Sequence, residues 1–383
     1  LALLGMILAG VLLAGLQSVV IGRASMRRIR YNRSFSRASC YAGEDLELIE
    51  VIENDKRLPV PWLKLEAEFP AVFRFRGRKG AETPKLNLGS VYQTHTSGFA
   101  LMPRQRVTRK HFVVCENRGI YRLSTVFMTS GDLLGFVMRS NSVHVESPLV
   151  VYPRLLQEMK MPSDWRSWQG EFSVRRWILE DPFLIEGSRE YAPGDPMNRI
   201  HWKSSARTGT LQAYRQGHSA DPQVMIVLDI GRVVLGLQEG SGEEEAEHAI
   251  SVAATGAEGL IRQGIPVGLI HNAHTLSAER IAPAGGAAQR GAIMEALAGI
   301  RLKSRQSLEE CLLQESRRTE SPRDYVVISA AGSAGIGQAV DRLESRGHKV
   351  SVIHPGSPPP ARGMDERQAE DAERENRAEE VGA

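Results

Sequence analysis

Seven ionisable side chains crowd one short stretch: Arg189, Glu190, Asp195, Arg199, His201, Lys203 and Arg207 all fall between Glu186 and Arg215. These residue types allow three kinds of chemistry. Asp195 or Glu190 could act as a base with His201 near it. Arg189, Asp195, Arg199 and Arg207 could instead form an ion-pair network that fixes one loop conformation, since removing one partner of a buried pair costs about 3–5 kcal/mol. Arginines and Trp202 are also the residue types that dominate interface hot spots, so the stretch could dock a protein. Nothing else in the chain supplies a nucleophile with an orienting partner, so no reaction class follows and no catalytic residue is assigned. A second pair of donors, His271 and His274, follows a strand end; zinc needs three or four ligands, and a polar loop is the expectation there.

The elements that must hold the charged stretch can be read from its backbone chemistry. Ala192-Pro193-Gly194-Asp195 is a turn, because proline presets one central angle and glycine tolerates a positive one at the next. Asp195-Pro196 reads as a helix N-cap followed by a first-turn proline. Ile200 and Trp202 anchor the short element, Gly209 stops it, and Leu211 to Tyr214 resumes an extended run.

The ordered pattern Gly187-Ser188-Arg189-Glu190-Tyr191-x-Pro193-Gly194-Asp195, then Arg199-Ile200-His201-Trp202-Lys203, then Ser205-Ala206-Arg207-Thr208-Gly209 resembles the signature of the prokaryotic domain of unknown function 58. Arg118-Gly119-Ile120-Tyr121 and Gly131-Asp132-Leu133-Leu134-Gly135 are similar to further pieces of that family's pattern. The resemblance implies N-terminal membrane helices, a β-rich module and a C-terminal half similar to a von Willebrand factor type A domain. It implies as partners a MoxR-type AAA ATPase and a transglutaminase-like membrane protein, and it implies no reaction. Arg189, Tyr191, Gly194, Asp195, Arg199, His201, Trp202, Lys203 and Arg207 are the signature residues carried over as a docking or structural site.

A von Willebrand type A domain usually binds Mg²⁺ through Asp-x-Ser-x-Ser after its first strand, a threonine on another loop and an aspartate after a later strand. Hard oxygen ligands at the carboxyl ends of strands suit that ion. Here Asp229 is in register, but Gly231 and Val233 have no hydroxyl and Arg232 adds a cation, while Ser329 stands where the later aspartate would be. The expectation is no cofactor and no metal site beyond weak Mg²⁺, with Asp229 paired to a basic side chain or capping the next element.

Around these residues the chain alternates in character. Residues 1–22 are apolar except for Gln17 and Ser18 and long enough to span a bilayer as an anchor. A signal peptide, the competing reading, would want a basic region before the apolar run and a small-residue cleavage site after it. Arg23, Arg27, Arg28 and Arg30 follow in a basic linker, 23–43, so an anchor of one or more helices would leave the later domains in the cytoplasm and the arginines against the lipid headgroups. Residues 44–153 read as short strands of an immunoglobulin-like sandwich, with a hairpin expected at Glu116–Gly119. Its functional reading is a docking surface and its bland one a spacer. Residues 154–184 are a linker carrying Trp165, Trp168 and Trp177 among arginines. Packing against the next domain accounts for them better than nucleic acid stacking, and no nucleic acid is expected as a partner.

After the signature segment, 185–220, residues 221–355 alternate buried apolar runs with helical patterns and should form a doubly wound α/β domain. Strands are expected at Val224–Leu228, Val267–Ile270, Tyr325–Ile328 and Val350–Ile353, and helices at Glu243–Arg262, Ile293–Leu302 and Gly335–Arg346. The glycine-rich turn at 331–337 resembles a short-chain dehydrogenase fingerprint, but Ala331 fills its first glycine position and one strand remains after it. Residues 356–383 read as a polar, disordered tail.

Composition agrees with a multi-domain globular chain. Of 383 residues, 42% are hydrophobic and 24% charged, and a net charge of +3 excludes a general polyanion binder. Cys40, Cys115 and Cys311 are too few and too scattered for a disulfide framework and fit a reducing compartment. The reading is a membrane-anchored cytoplasmic scaffold that engages protein partners through the α/β domain. The alternative is an enzyme or nucleotide-binding protein using the signature or the 331–337 turn.

Overall fold

The computed structural model describes residues 2–76, 92–157, 160–178, 185–192, 195–216, 223–231, 241–318, 322–329 and 335–356. Gly194, Arg232, Val233, most of the 331–337 turn and nearly all of the expected tail lie outside the described residues. The chain divides into two compact units. One holds Leu1–Leu155 with Thr275–Ala278 and Gly291–Ile300; the other holds Leu156–His274, Glu279–Arg290 and Arg301–Ala383.

The first unit begins with an apolar helix, α1 (Ala2–Ala24), and continues in strands β1 (Ile29–Phe35), β2 (Ser39–Tyr41), β3 (Asp45–Asn54), β4 (Val60–Pro70), β5 (Phe73–Arg76), β6 (Tyr92–Leu101), β7 (Arg106–Cys115), β8 (Gly119–Gly131) and β9 (Met138–Tyr152). They form two sheets, ordered β1-β3-β7-β5 and β2-β9-β8-β4-β6. Period-two alternation sends Leu46, Leu48 and Ile52 of one sheet and Leu63, Leu65, Phe69, Val126 and Leu149 of the other into one shared core. Cys40 and Cys115, distant in sequence, meet there as free, hydrogen-bonded thiols.

Two expectations change. The basic linker contains β1 and β2; on β1, Tyr31 and Arg33 alternate inward while Arg30 faces out, so charge hid a strand. The turn at Glu116–Gly119 is no hairpin, because β7 pairs with β3 and β5 while β8 pairs with β4 and β9. It is a crossing between sheets, closed by Tyr121, whose hydroxyl donates to the carbonyl of Asn117 at 3.0 Å in the manner of a tyrosine corner. Gly119 leaves room for that ring: a Cβ there would lie 2.9 Å from it.

The second unit opens with α2 (Ser163–Ile178) inside the stretch read as a linker. Its Trp165, Trp168 and Phe172 are buried, and Trp165 fits where a side chain at Gly256 would stand. The chain goes on through β10 (Ile185–Glu190), α3 (Trp202–Thr208), β11 (Gln212–Gln216), β12 (Val224–Leu228), α4 (Ser241–Arg262), β13 (Val267–His271), β14 (Ala273–Thr275), β15 (Arg280–Ala284), α5 (Gly286–Gly299), β16 (Ile300–Ser304), α6 (Leu308–Arg318), β17 (Asp324–Ile328), α7 (Gly337–Glu344) and β18 (Lys349–Ile353); of these, the end of β14, most of α5 and Ile300 of β16 are counted with the first unit. The main sheet runs β15-β13-β12-β17-β18, parallel except for the edge strand β15. Met225, Val227, Tyr325 and Val327 meet α6 and α7 in one apolar cluster, and alternation turns Ile226 and Val326 toward the opposite face. The helix expected at Ile293–Leu302 begins earlier, and its last residues are β16 instead.

Candidate functional site

The signature segment is a small self-braced hairpin. β10 and β11 pair antiparallel, Ser188 opposite Tyr214 and Glu190 opposite Gln212. Arg189 grips Asp195 with both terminal nitrogens, at 2.7 and 2.6 Å, and the same carboxylate accepts the Ala192 amide at 2.9 Å. A bidentate charge-assisted fork outcompetes a helix amide for that carboxylate, so Asp195 is not the N-cap expected. His201 caps α3, its Nδ1 accepting the amide of Ser204 at 2.9 Å, and its ring lies 4.4 Å from that of Tyr214. Tyr191 donates its hydroxyl to the Asp195 carbonyl at 3.2 Å. Gly209 ends α3 in the left-handed conformation, φ 73°.

The hairpin therefore spends its polar groups on itself and turns apolar ones outward. Ile200 is buried, but Met197 is 73% exposed, Trp202 63% and Leu211 48%. Lys203 and Arg207 are exposed on α3 beside Trp202. Asp195 and His201 are each engaged in bracing the backbone, through the Ala192 and Ser204 amides.

Asp229 sits at the carboxyl end of β12, where strand order reverses between β12 and β17, the usual ligand crevice of a doubly wound sheet. It is buried and accepts three neutral donors: Asn272 Nδ2 at 2.5 Å, Ser329 Oγ at 2.7 Å and the Gly231 amide at 3.0 Å. Asn272 in turn accepts the amide of Ile230 at 3.0 Å. The partners are neutral hydrogen-bond donors rather than the expected basic side chain, and the Gly231 contact closes a local turn rather than capping α4. His271 is buried and His274 exposed, so the two do not converge.

One cluster escaped sequence reasoning. Glu50 on β3, His95 on β6 and His111 on β7 bring three ligand-capable atoms within 4.8 Å of one another in the first unit. His111 Nε2 lies 2.9 Å from Glu50 Oε2, Ser97 donates to the same oxygen at 3.2 Å, and Tyr31 donates to Oε1 at 2.8 Å. Burial alone would raise the Glu50 carboxyl, but the His111 and Tyr31 bonds hold it below its ordinary value. Burial, helped by the charge of His111, pushes His95 down to about 4, so its imidazole is neutral. Two imidazoles and a carboxylate are a donor set that could hold zinc. The buried Arg33 guanidinium nearby, lying over Phe69 at 5.3 Å, already opposes the Glu50 charge. The missed signal was phase: Leu46, Leu48, Glu50 and Ile52 share one face, as do Gln93, His95, Ser97 and Phe99.

Residues 187–354 match the family described as "Protein of unknown function DUF58". The uncharacterized protein YeaD of Bacillus subtilis (strain 168) is 22% identical over 245 residues, covering 64% of this chain and 56% of that protein. The chain thus spans little more than half the length of that curated relative. Among solved structures, a non-cellulosomal cohesin from Archaeoglobus fulgidus covers 34% of this chain and 94% of its own, at 16% identity and a TM-score of 0.21. A PapD-like domain of human CEP192 covers 32% and 86%, at 10% identity and a TM-score of 0.20. Likenesses at those scores are too slight to bear on fold or function.

Proposed function

We propose that this chain, a member of the DUF58 family, is a membrane-tethered cytoplasmic scaffold whose signature hairpin docks a protein partner, a MoxR-type AAA ATPase. The observation that carries this reading is the outward display of Met197, Trp202 and Leu211 on a hairpin whose charged residues brace one another. Exposed aromatic and apolar groups on a rigid frame, rimmed by Lys203 and Arg207, have the composition of an interface core. The site needs no cofactor in this reading, and the α/β domain, von Willebrand type A-like in the resemblance, serves as the platform for the hairpin.

The tether is supported by how α1 ends. Ser18 Oγ donates to Asp132 at 2.8 Å, and Lys56 Nζ donates to the carbonyls of Ala24 and Ser25, each at 2.6 Å, and of Arg27 at 3.3 Å. A cation on the carbonyls at a helix C-terminus suits its negative end. A helix woven into the β module through its last turns suits a retained anchor rather than a removed leader. Arg23, Arg27, Arg28 and Arg30 are all exposed at that end, which favours a cytoplasmic body.

The experiment is a binding titration between the full chain in lipid nanodiscs and a purified MoxR-type ATPase from the same organism. Trp202→Ala is expected to weaken binding about thirtyfold, the loss of one hot-spot residue worth ~2 kcal/mol. Unchanged affinity in that variant would overturn the hairpin as the docking site.

A further inference from the structure

The connection between β8 and β9 is built to expose apolar side chains. Leu133 is 65% exposed, Leu134 56%, Phe136 73% and Met138 65%, all within six consecutive positions. This is no loose loop. Asp132 is fully buried at its base and accepts the amides of Val137 at 2.8 Å and Leu134 at 3.2 Å. Gly131 is required by close approach, since a Cβ there would lie 2.3 Å from the Val137 carbonyl oxygen, and Gly135 by its φ of 78°. Trp62 donates its indole N–H to the Asp132 carbonyl at 3.0 Å, pinning the same turn from β4. A water-facing turn gains nothing from being held so firmly with four large apolar groups outward.

What lies beside it gives the reason. The third donor to Asp132 is Ser18 of α1, and Gly22 of α1 packs against Val137, where a Cβ would come within 2.7 Å. Ser18 is six residues before the end of α1, about 9 Å along the helix axis at 1.5 Å per residue. These contacts hold the turn beside the last turns of α1, whose Leu12, Leu13, Leu16, Val19 and Val20 are exposed as well. The Asp132 carboxylate and the Ser18 hydroxyl face each other rather than the outside, as suits polar groups beside hydrocarbon, whereas the neighbouring Gln17 amide has no hydrogen-bond partner among the described residues.

We propose that the Leu133–Met138 turn is a second membrane contact, a wedge inserted into the lipid interface alongside α1. This rests on the reading of α1 as an anchor. If α1 ends at the membrane surface, its contact with Asp132 about 9 Å before that end sets the base of the turn in the interfacial zone, where apolar groups settle some 5–10 Å deep. Trp62 is the residue type that belts that boundary, and the arginines after α1 suit anionic headgroups. With two contacts instead of one, the β module is held at a fixed orientation on the bilayer instead of swivelling on a single helix.

Nitroxide labels at Leu134→Cys and Phe136→Cys, in the full chain reconstituted into phosphatidylcholine–phosphatidylglycerol vesicles, test the wedge. The native thiols are all buried. Leu12→Cys reports the anchor and Glu146→Cys, whose side chain is 82% exposed, reports water. Labels at 134 and 136 are expected to collide with oxygen more, and with a polar nickel complex less, than the label at 146, sharing the sign seen at 12. If 134 and 136 behave like 146 while 12 faces lipid, the wedge is overturned and the anchor stands. A water-exposed label at 12 overturns both. Low collision with both agents at 134 and 136 means that protein, such as a second copy of this chain, covers the turn, and that too overturns the lipid contact.

Discussion

Asp195 carries more of the signature than any other single residue, because one carboxylate closes the turn through Ala192 and ties it to β10 through Arg189. Asp195→Ala is expected to lower stability by about 1–2 kcal/mol, less than a buried pair would lose because Arg189 remains half exposed. Hydrogen exchange at the Ala192 amide should rise while that of β12 is unchanged; protection retained at Ala192 would contradict the assignment. The Glu50 cluster gives a pH prediction. His95 has a folded value of about 4, below the 6.5 of an exposed imidazole, so between the two the unfolded chain binds more protons. Stability is therefore fully present above 6.5 and falls as pH drops toward 4, by on the order of 3 kcal/mol. Glu50, His111 and Arg109 are the charged or titratable neighbours acting on this ring. Glu50 adds its own loss at lower pH, below the ordinary carboxylate value. Urea titrations of wild type and His95→Gln at pH 7.5 and 5 should show a smaller acid loss in the variant; equal losses would contradict this origin.

At the scale of elements, the tightest demands are steric. Gly131→Ala should destabilise the β module by about 1–3 kcal/mol, read as a lower thermal midpoint, because the turn can relieve a 2.3 Å contact only by moving the strand. An unchanged midpoint would mean that the turn adapts freely. What could be read from sequence follows from signal strength. β12 matches its expected bounds because a continuous apolar run bounded by Asp229 has one reading in a buried parallel sheet. Gly209 was legible as a stop for the same reason: few residues adopt positive φ. The inward place of Glu50 on β3 was not, since a carboxylate between apolar residues gives no sign of the buried partners that folding brings to it, and β1 was hidden by its arginines. Asp195 looked like a cap because a proline follows it, but of its two expected roles the ion pair with Arg189 is the one that forms. The Glu50 cluster draws on three strands and had no spacing to betray it.

At the scale of the molecule, the proposed function divides two tasks between the two units, membrane attachment through α1 and the β module, and partner recognition through the hairpin of the α/β unit. Asp229 bears on Mg²⁺ binding at the ends of the parallel strands. Its carboxylate is occupied by Asn272, Ser329 and the Gly231 amide, so calorimetry with Mg²⁺ or Mn²⁺ is expected to find no binding tighter than micromolar. Tighter binding would show that those donors yield to the ion. The most direct measurement of the central proposal is photo-crosslinking from position 202 in native membranes, with a benzophenone amino acid replacing Trp202. The account predicts an adduct with an AAA ATPase, identified by mass spectrometry and reduced when Arg189 or Asp195 is also replaced. An adduct only with lipid, or none at all while the chain remains folded in the membrane, would contradict it.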